Sequence, residues 1–323
     1  MSARVTAVLV NLDCGPLIDY VFPSLAKQTY DDLQILVVDN GSTDGSADRI
    51  VREWPRTMVQ RLGRNAGFSG ALNAGIRATT SEFVLSLNFD VVLEPDFVAA
   101  LVEALETHPE AGWAGGALKQ LRAGAVVDAI DCYGHWMLPS RYAYGCDPAR
   151  RSPAAYGSPC HVFGASACAA LYRRRMLDDI AIDGEIFDED LFAYFEDVDV
   201  DWRAQQRGWR CVFTPAARGA HVRGGTGLHR RPDVAALAPA NRLLTMTKND
   251  DVAGIARDLV PIVLRTGRDA IELARRPPAL RLAATRVLRL LPRMLAKRRA
   301  IRRRRTVPAA YLRALRLRTS FLG

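Results

Sequence analysis

The residues able to do chemistry sit where apolar runs stop. Phe83-Val84-Leu85-Ser86-Leu87 is an apolar run of strand length, and it ends on Asn88-Phe89-Asp90. Asn88 and Asp90 stand at i and i+2, so their oxygens can point the same way. The carboxyl edge of an open α/β sheet is where ligands bind, and hard divalent cations take such oxygens. A turn capped by Asn and Asp is the plainer reading of the same residues. Asp39 follows the apolar run 33–38 and opens Asp39-Asn40-Gly41-Ser42-Thr43-Asp44-Gly45-Ser46. It is either a turn residue at a helix entry or an acceptor for the base or ribose donors of a nucleotide. Residues 187–202 hold seven acidic side chains among sixteen, interleaved with Phe192, Tyr194 and Phe195. A solvated acidic face would not carry those aromatics. Carboxylates in an apolar wall have their pKa raised towards that of a general base. His221 precedes Gly224-Gly225-Thr226-Gly227. Alone it reads as a structural histidine, and the glycines read as the hinge of a lid.

An α/β scaffold supplies positions for these groups. The patterning predicts strands over 5–10, 33–38, 59–62 and 83–90, and helices over 17–28, from Ala47, and over 95–106. Gly67 and Gly70 open a helix whose start can face a phosphate, without the Gly-Lys-Ser/Thr ending of a P-loop. Residues 112–160, rich in Gly, Pro, Tyr and Cys, read as irregular strands and long loops around a cleft. Residues 160–172 read as a small-residue strand pair, and Arg173-Arg174-Arg175 begins a helix. Val198, Trp202 and Gln205 recur at helical spacing, which puts Asp197 at a helix start; Gly208 ends that helix, and further strands follow at 211–213 and 220–222.

Composition sets the bounds. The chain has 323 residues, 49% hydrophobic and 24% charged, as a globular protein does. It contains no apolar run of transmembrane length, and its start enters a strand pattern directly, so neither a membrane span nor a secretory signal is expected. Six scattered cysteines without a Cys-x-x-Cys pair argue against a zinc site and suit reduced thiols in a cytoplasmic protein. The net charge of +9 conceals an asymmetry: residues 251–323 hold 19 Lys+Arg against 4 Asp+Glu, while the remainder holds 25 against 31.

Five pieces stand in order: Val37-Val38-Asp39-Asn40-Gly41-Ser42-Thr43-Asp44; Asn65-Ala66-Gly67-Phe68-Ser69-Gly70-Ala71-Leu72-Asn73; Leu87-Asn88-Phe89-Asp90; Tyr194-Phe195-Glu196-Asp197-Val198-Asp199; and Ala220-His221. Together they resemble the family 2 glycosyltransferases, the inverting GT-A type, and among them the rhamnosyltransferase-like members that act on cell-envelope polysaccharides. Asn241-Arg242-Leu243-Leu244 is similar to the segment closing that domain, so the resemblance spans roughly residues 4–250. It implies a GT-A-like nucleotide-binding domain over 1–250 around a central, mostly parallel sheet, with a basic helical tail over 251–323. It implies that Asp39, with Asn65, Gly67 and Asn73, holds a nucleotide sugar, and that Asn88 and Asp90 face its diphosphate. Asp90 and His221 would bind Mg²⁺ or Mn²⁺. Asn88 departs from the first Asp of the family's Asp-x-Asp, and an amide is a weaker ligand. Asp197 would be the base, with Glu196 and Trp202 on the acceptor side. The implied donor is dTDP-L-rhamnose first, then UDP-galactofuranose or UDP-N-acetylglucosamine; the implied acceptor is a glycan or a lipid-linked sugar. A non-catalytic nucleotide-sugar-binding scaffold is the competing reading.

In the tail, 14 basic residues and no acidic one lie between Arg281 and Arg318 alongside an apolar stripe, and Pro292 is expected to kink it. Apolar stripe and dense arginine suit a helix lying on an anionic membrane surface, which would make the protein peripheral on the inner face of the membrane. A packing helix for this chain or a homo-oligomer is the second reading. Nucleic acid is disfavoured, for want of aromatic platforms or a recognition motif.

Overall fold

The computed structural model describes residues 4–122, 124–147, 152–222 and 231–315. Apolar alternation builds the first half. In β1 (Val5–Asn11), Val5, Ala7 and Leu9 face one core layer and Val8 the other. Strands β2 (Leu33–Asp39), β3 (Met58–Arg61) and β4 (Phe83–Leu87) join β1 in parallel. Helices α1 (Ile18–Leu25), α2 (Ser46–Glu53) and α3 (Gly67–Arg77) connect them. The expected helix over 17–28 is shorter than the pattern, with Pro23 inside it.

The second half is mixed. It contains β5 (Val91–Leu93), α4 (Phe97–Thr107), β6 (Ala111–Arg122), β7 (Ala125–Cys132), β8 (Trp136–Met137), β9 (Ala143–Tyr144), β10 (Cys160–Val162), β11 (Ala169–Arg173), α5 (Arg174–Ile180), α6 (Glu196–Gln206) and β12 (Arg210–His221). The main sheet runs β10-β12-β6-β11-β4-β1-β2-β3, with β5 on β12 and β7 on β6; β8 and β9 form a separate hairpin. The expected mostly parallel sheet therefore holds for β3-β2-β1-β4 and for β6 with β12. Strand β11 enters antiparallel between β4 and β6, which are joined in the chain through β5 and α4.

Two sequence expectations change. The stretch from 112 is not irregular: β6 is a twelve-residue strand at the centre of the sheet. Its glycines hid it. Side chains at Gly112, Gly115 and Gly116 would run into Met176, Ala165 and Phe97, so the strand sheds β-formers to let its neighbours close. Nor are β10 and β11 a pair: β10 lies on β12 and β11 lies between β4 and β6.

One core layer centres on α1 and α4 (Ile18, Phe22, Phe97, Leu101), the other on α3, α5 and α6 (Leu72, Ile76, Met176, Leu177, Val200). The chain continues through α7 (Pro232–Ala235), α8 (Leu237–Asn249), α9 (Val252–Arg257), α10 (Leu259–Ala274), α11 (Pro277–Arg304) and α12 (Ala309–Ala314). Helix α11 continues through Pro292. Its buried Leu290 and Met294 pack with Leu244 of α8 and Leu191, so the tail shares its core with the body. No helix among the described residues is long and apolar enough to cross a membrane.

Candidate functional site

Parallel pairing brings the carboxyl ends of β1, β2 and β4 together, with Asn11 opposite Asp39 and Leu9 opposite Leu87. Buried Asn11 donates from Nδ2 to Asp39 Oδ1 at 3.1 Å and to Ser46 Oγ at 2.8 Å. The Ser42 N–H also reaches Asp39 Oδ1, at 3.3 Å, while Oδ2 has no partner among the described residues and is free to accept from a ligand. The two turns lock each other. Asp13 accepts from the N–H groups of Thr43 (2.6 Å) and Asp44 (3.2 Å), and Asp44 accepts from the Gly15 N–H at 2.9 Å.

Asn40 ties this edge to the start of α3. Its Nδ2 donates to Asn65 Oδ1 at 3.1 Å and its Oδ1 accepts from the Ala66 N–H at 2.8 Å. Gly67, with φ +77°, donates its N–H to Asn65 Oδ1 at 2.9 Å. Asn73 is placed differently. It is buried, donates to the Phe187 carbonyl at 2.7 Å and to Glu189 Oε1 at 3.1 Å, and accepts from the Phe187 N–H at 2.9 Å. Its amide is spent joining α3 to the acidic loop, so the nucleotide role implied for Asn73 is corrected to a structural one.

Pairing of β5 with β12 sets His221 opposite Val91, beside Asp90. His221 Nε2 lies 3.2 Å from Asp90 Oδ1, and its Nδ1 lies 2.8 Å from Asp131 Oδ2 on β7. Burial opposes charge on His221, but the bonds to Asp131 and Asp90 outweigh it and raise its pKa to about 9. Asp131 escaped the sequence reading because β7 lies in the stretch read as irregular strands and long loops, where no single position stood out. It fixes which ring nitrogen faces Asp90, the support usual behind a metal-binding histidine. Asn88 is half-buried, and its amide has no partner among the described residues. Asp90, His221 and Asn88 suit a hard divalent cation that completes its shell from a bound diphosphate. No group of three His, Cys, Asp or Glu side chains among the described residues is arranged to hold a metal alone. The glycines at 224–227, read as a lid hinge, lie outside the described residues.

Asp197 stands in the first turn of α6, as its spacing predicted. Its Oδ2 accepts from Ser166 Oγ and from the Ala167 N–H, both at 3.3 Å. His135 Nε2 lies 3.7 Å from the same oxygen, and His135 Nδ1 lies 2.6 Å from Asp201 Oδ2. Burial opposes a charge on His135, yet the charge on Asp197 and the bond to Asp201 raise its pKa to about 9. Asp201 sits against Gly164, where an added Cβ would fall 1.8 Å from its carboxylate. Burial, and then the charge on Asp197, push the Glu196 carboxyl well above the usual carboxylate range. Glu196 is buried and lacks a hydrogen-bond partner at Oε2, and Trp202 is packed edge-on to Phe163 beneath α6. Neither presents a surface to an acceptor, so their acceptor-side roles are withdrawn. Sequence reasoning missed His135 and Asp201: one lay in a supposed loop, and the other was one acid among seven.

The loop before α6 carries three non-glycine residues at positive φ, Phe192 (65°), Tyr194 (66°) and Phe195 (68°). Buried Asn241 of α8 holds it there by donating to the carbonyls of Leu191, Ala193 and Tyr194, each at 2.8 Å. Arg286 of α11 donates to Asn241 Oδ1 at 3.0 Å and to the Leu191 carbonyl at 2.8 Å. Lys248 bridges Asp188 (2.5 Å) and Asp199 (2.7 Å), and Lys297 bridges Asp188 (2.5 Å) and Asp190 (2.9 Å). Burial opposes the charge on Asp188, and the two ammonium groups overcome it, holding that carboxyl well below its usual range.

Comparison with known proteins agrees with this geometry. The profile described as Glycosyl transferase family 2 matches residues 6–181. An N-acetylglucosaminyl-diphospho-decaprenol L-rhamnosyltransferase of Mycobacterium tuberculosis is 26% identical over 249 residues, 68% of this chain and 76% of the relative. A poly-beta-1,6-N-acetyl-D-glucosamine synthase of Staphylococcus aureus is 23% identical over 66% of this chain and 48% of its own length. In fold, GalNAc-T7 with UDP, GalNAc and Mn²⁺ aligns at a TM-score of 0.60 and 14% identity, covering 76% of this chain and 49% of that one. TarS 1–349 of S. aureus aligns at 0.54 and 17% identity, covering 96% and 92%. With more than half its length matched by that profile and its strands in a GT-A-like arrangement, the chain belongs to glycosyl transferase family 2 and is a glycosyltransferase.

Proposed function

We propose that the chain is an inverting, divalent-cation-dependent hexosyltransferase. On this reading it moves L-rhamnose from dTDP-rhamnose to a hydroxyl of a lipid-linked or glycan acceptor of the cell envelope. The mycobacterial rhamnosyltransferase supports that donor. The same chemistry with a UDP-sugar is the second reading, supported by the staphylococcal N-acetylglucosamine polymer synthase.

The observation that carries the proposal is the pairing of a polarised carboxylate with a separate ligand edge. Asp39 accepts from the nucleoside, the Asn65 amide N–H donates to it, and Asp90, His221 and Asn88 face its diphosphate. Asp90, His221 and Asn88 would hold a Mg²⁺ or Mn²⁺ ion, which would supply positive charge against the charge developing on the leaving phosphate. Asp197 takes the proton of the acceptor hydroxyl as its oxygen bonds to the anomeric carbon. The carbon–oxygen bond to the nucleoside diphosphate breaks on the opposite face, so one displacement inverts the centre. Ser166, the Ala167 N–H and His135 hold the Asp197 carboxylate oriented for that step. An outer face with Leu259, Val263, Leu264 and Leu288 exposed beside arginines supports docking on an anionic membrane, where a lipid-linked acceptor resides.

The test is nucleoside diphosphate release from dTDP-rhamnose and UDP-sugars, with Mn²⁺, Mg²⁺ or EDTA, and with anionic or neutral vesicles carrying acceptor lipid. Wild type is expected to act on one donor, only with metal, and faster with anionic vesicles. Asp197→Asn is expected to lower turnover by about 10³-fold or more while still binding donor. Near-normal turnover in that variant would remove Asp197 as the base, and donor binding without release by wild type under any condition would favour the scaffold reading.

A further inference from the structure

A cavity of about 650 Å³ opens between the tail and the loop that precedes Asp197, and nothing above uses it. Its walls include Tyr142 of the β8–β9 hairpin, Phe195, and Arg265, Arg268, Arg275 and Arg276 of the tail. Two guanidinium groups there are already matched. Arg242 and Arg265 share Asp269 at 3.2 and 2.8 Å, and Arg265 lies 3.8 Å over the Tyr142 ring. Arg268, Arg275 and Arg276 have neither an ion pair nor a side-chain hydrogen bond among the described residues. Five arginines against Asp269 and Glu272 leave three positive charges in the lining. The walls are fixed: buried Arg141 of the hairpin binds Asp250 at 2.6 Å and Asp258 at 2.8 Å, and Arg242 donates to the Ser140 carbonyl at 2.8 Å. Arg268, Arg275 and Arg276 are exposed at its mouth, and unmatched guanidinium groups favour a multiply charged anion with oxygens on several sides.

Position narrows the anion. Phe195 caps α6, and Asp197 is two residues on, within about 7 Å along the backbone. Phe195 lines the cavity, so an anion bonded to the reducing end of an acceptor sugar would lie in the cavity with that sugar on the side of Asp197. Val260, Leu264, Arg268, Ile271 and Arg275 then recur along one face of α10, and Val260, Leu264 and Ile271 are all exposed. Apolar side chains alternating with cations suit a hydrocarbon chain leaving a charged head group.

We propose that this cavity binds the diphosphate of an acceptor sugar carried on a lipid diphosphate, with the lipid running along the exposed face of α10. The proposal rests on the glycosyltransferase reading and on Asp197 as base, and its test is a binding measurement that needs neither. Calorimetry is run in EDTA, which removes the cation a nucleoside diphosphate relies on, with inorganic pyrophosphate and with farnesyl diphosphate as probes. Wild type is expected to bind both saturably, farnesyl diphosphate more tightly. The triple variant Arg268→Ala, Arg275→Ala, Arg276→Ala is expected to lose at least about tenfold in affinity for each, with an unchanged melting temperature and unchanged UDP binding in Mn²⁺. No binding by wild type, or equal binding by the triple variant, overturns the site. Pyrophosphate binding as tight as farnesyl diphosphate overturns the lipid carrier and leaves a site for free phosphates. Because no turnover is read, an inactive Asp197→Asn variant and an empty arginine cavity remain separate results.

Discussion

The turns at the ends of β1 and β2 and the loop leading into α6 both present carboxylates to the cleft, but they are held in opposite ways. Asp39 and Asp44 are anchored by neighbours from two short turns: Asn11, Gly15, Ser42 and Ser46. The loop at 187–197 draws its anchors from far along the chain: Asn73 on one side and Asn241, Lys248, Arg286 and Lys297 on the other. The first arrangement is a property of two local sequences. The second exists only when the whole chain is folded, and it holds residues at positive φ that would relax without it.

The sharpest way to break this contrast is Lys248→Met. Lys248 is 1% exposed and sits between Asp188 and Asp199, so its loss leaves two buried carboxylates short of a partner. Removing one side of a buried ion pair costs about 3–5 kcal/mol, and chemical denaturation should show it, together with loss of transfer. A loss under about 1 kcal/mol would mean that Arg203 and Lys297 carry those charges without it.

A middle-sized effect tests the setting of the proposed base, Asp197. His135 faces Asp197, Asp201 and Glu196. Its pKa in the fold, about 9, lies above its ordinary value, so its contribution is whole below about pH 6.5 and fades as pH rises through 9. The stability difference between wild type and His135→Asn should therefore shrink by roughly 1–3 kcal/mol from pH 6 to pH 10. Thermal melts across that range check it, and a pH-independent difference would deny the imidazolium.

The smallest effect belongs to the local side. Asp13→Ala removes an acceptor for two turn N–H groups, and the remaining bonds keep the turn. Donor KM is expected to rise about two- to fivefold with kcat unchanged. A fall in kcat as large as that of a catalytic-loop variant would erase the distinction between the two sides.

The same contrast explains what could be read from the sequence. Strands β1, β2 and β4, the polar turn after Asp39, the pair Asp90 and His221, and Asp197 at a helix start all follow from short-range pattern or motif order. Strand β6 did not, because its glycines are explained by Met176, Ala165 and Phe97 elsewhere in the chain. Asp131 and His135 were hidden for a related reason: what marks them is a partner distant in the chain, His221 on β12 in one case and Asp201 on α6 in the other. Asn73 and Trp202 misled because a polar or aromatic residue within a motif looks the same whether it faces a ligand or fastens two elements. The tail's charge was visible, but the inward targets of Arg286 and Lys297 were not.

The tail also returns to the far end of α6. The Thr306 N–H donates to the Gln206 carbonyl at 3.0 Å and Tyr311 reaches Gln205 Oε1 at 2.9 Å, while Arg304 donates to the carbonyl of Ala181, just after α5, at 2.5 Å. Helix α6 is thus strapped at both ends by residues beyond 280. For the gene, a nonsense codon near position 255 would leave every motif of the family encoded and yet behave as a null allele. A missense change at Lys297 or Arg286 would map far from the cleft in any linear diagram while loosening the loop that leads into α6.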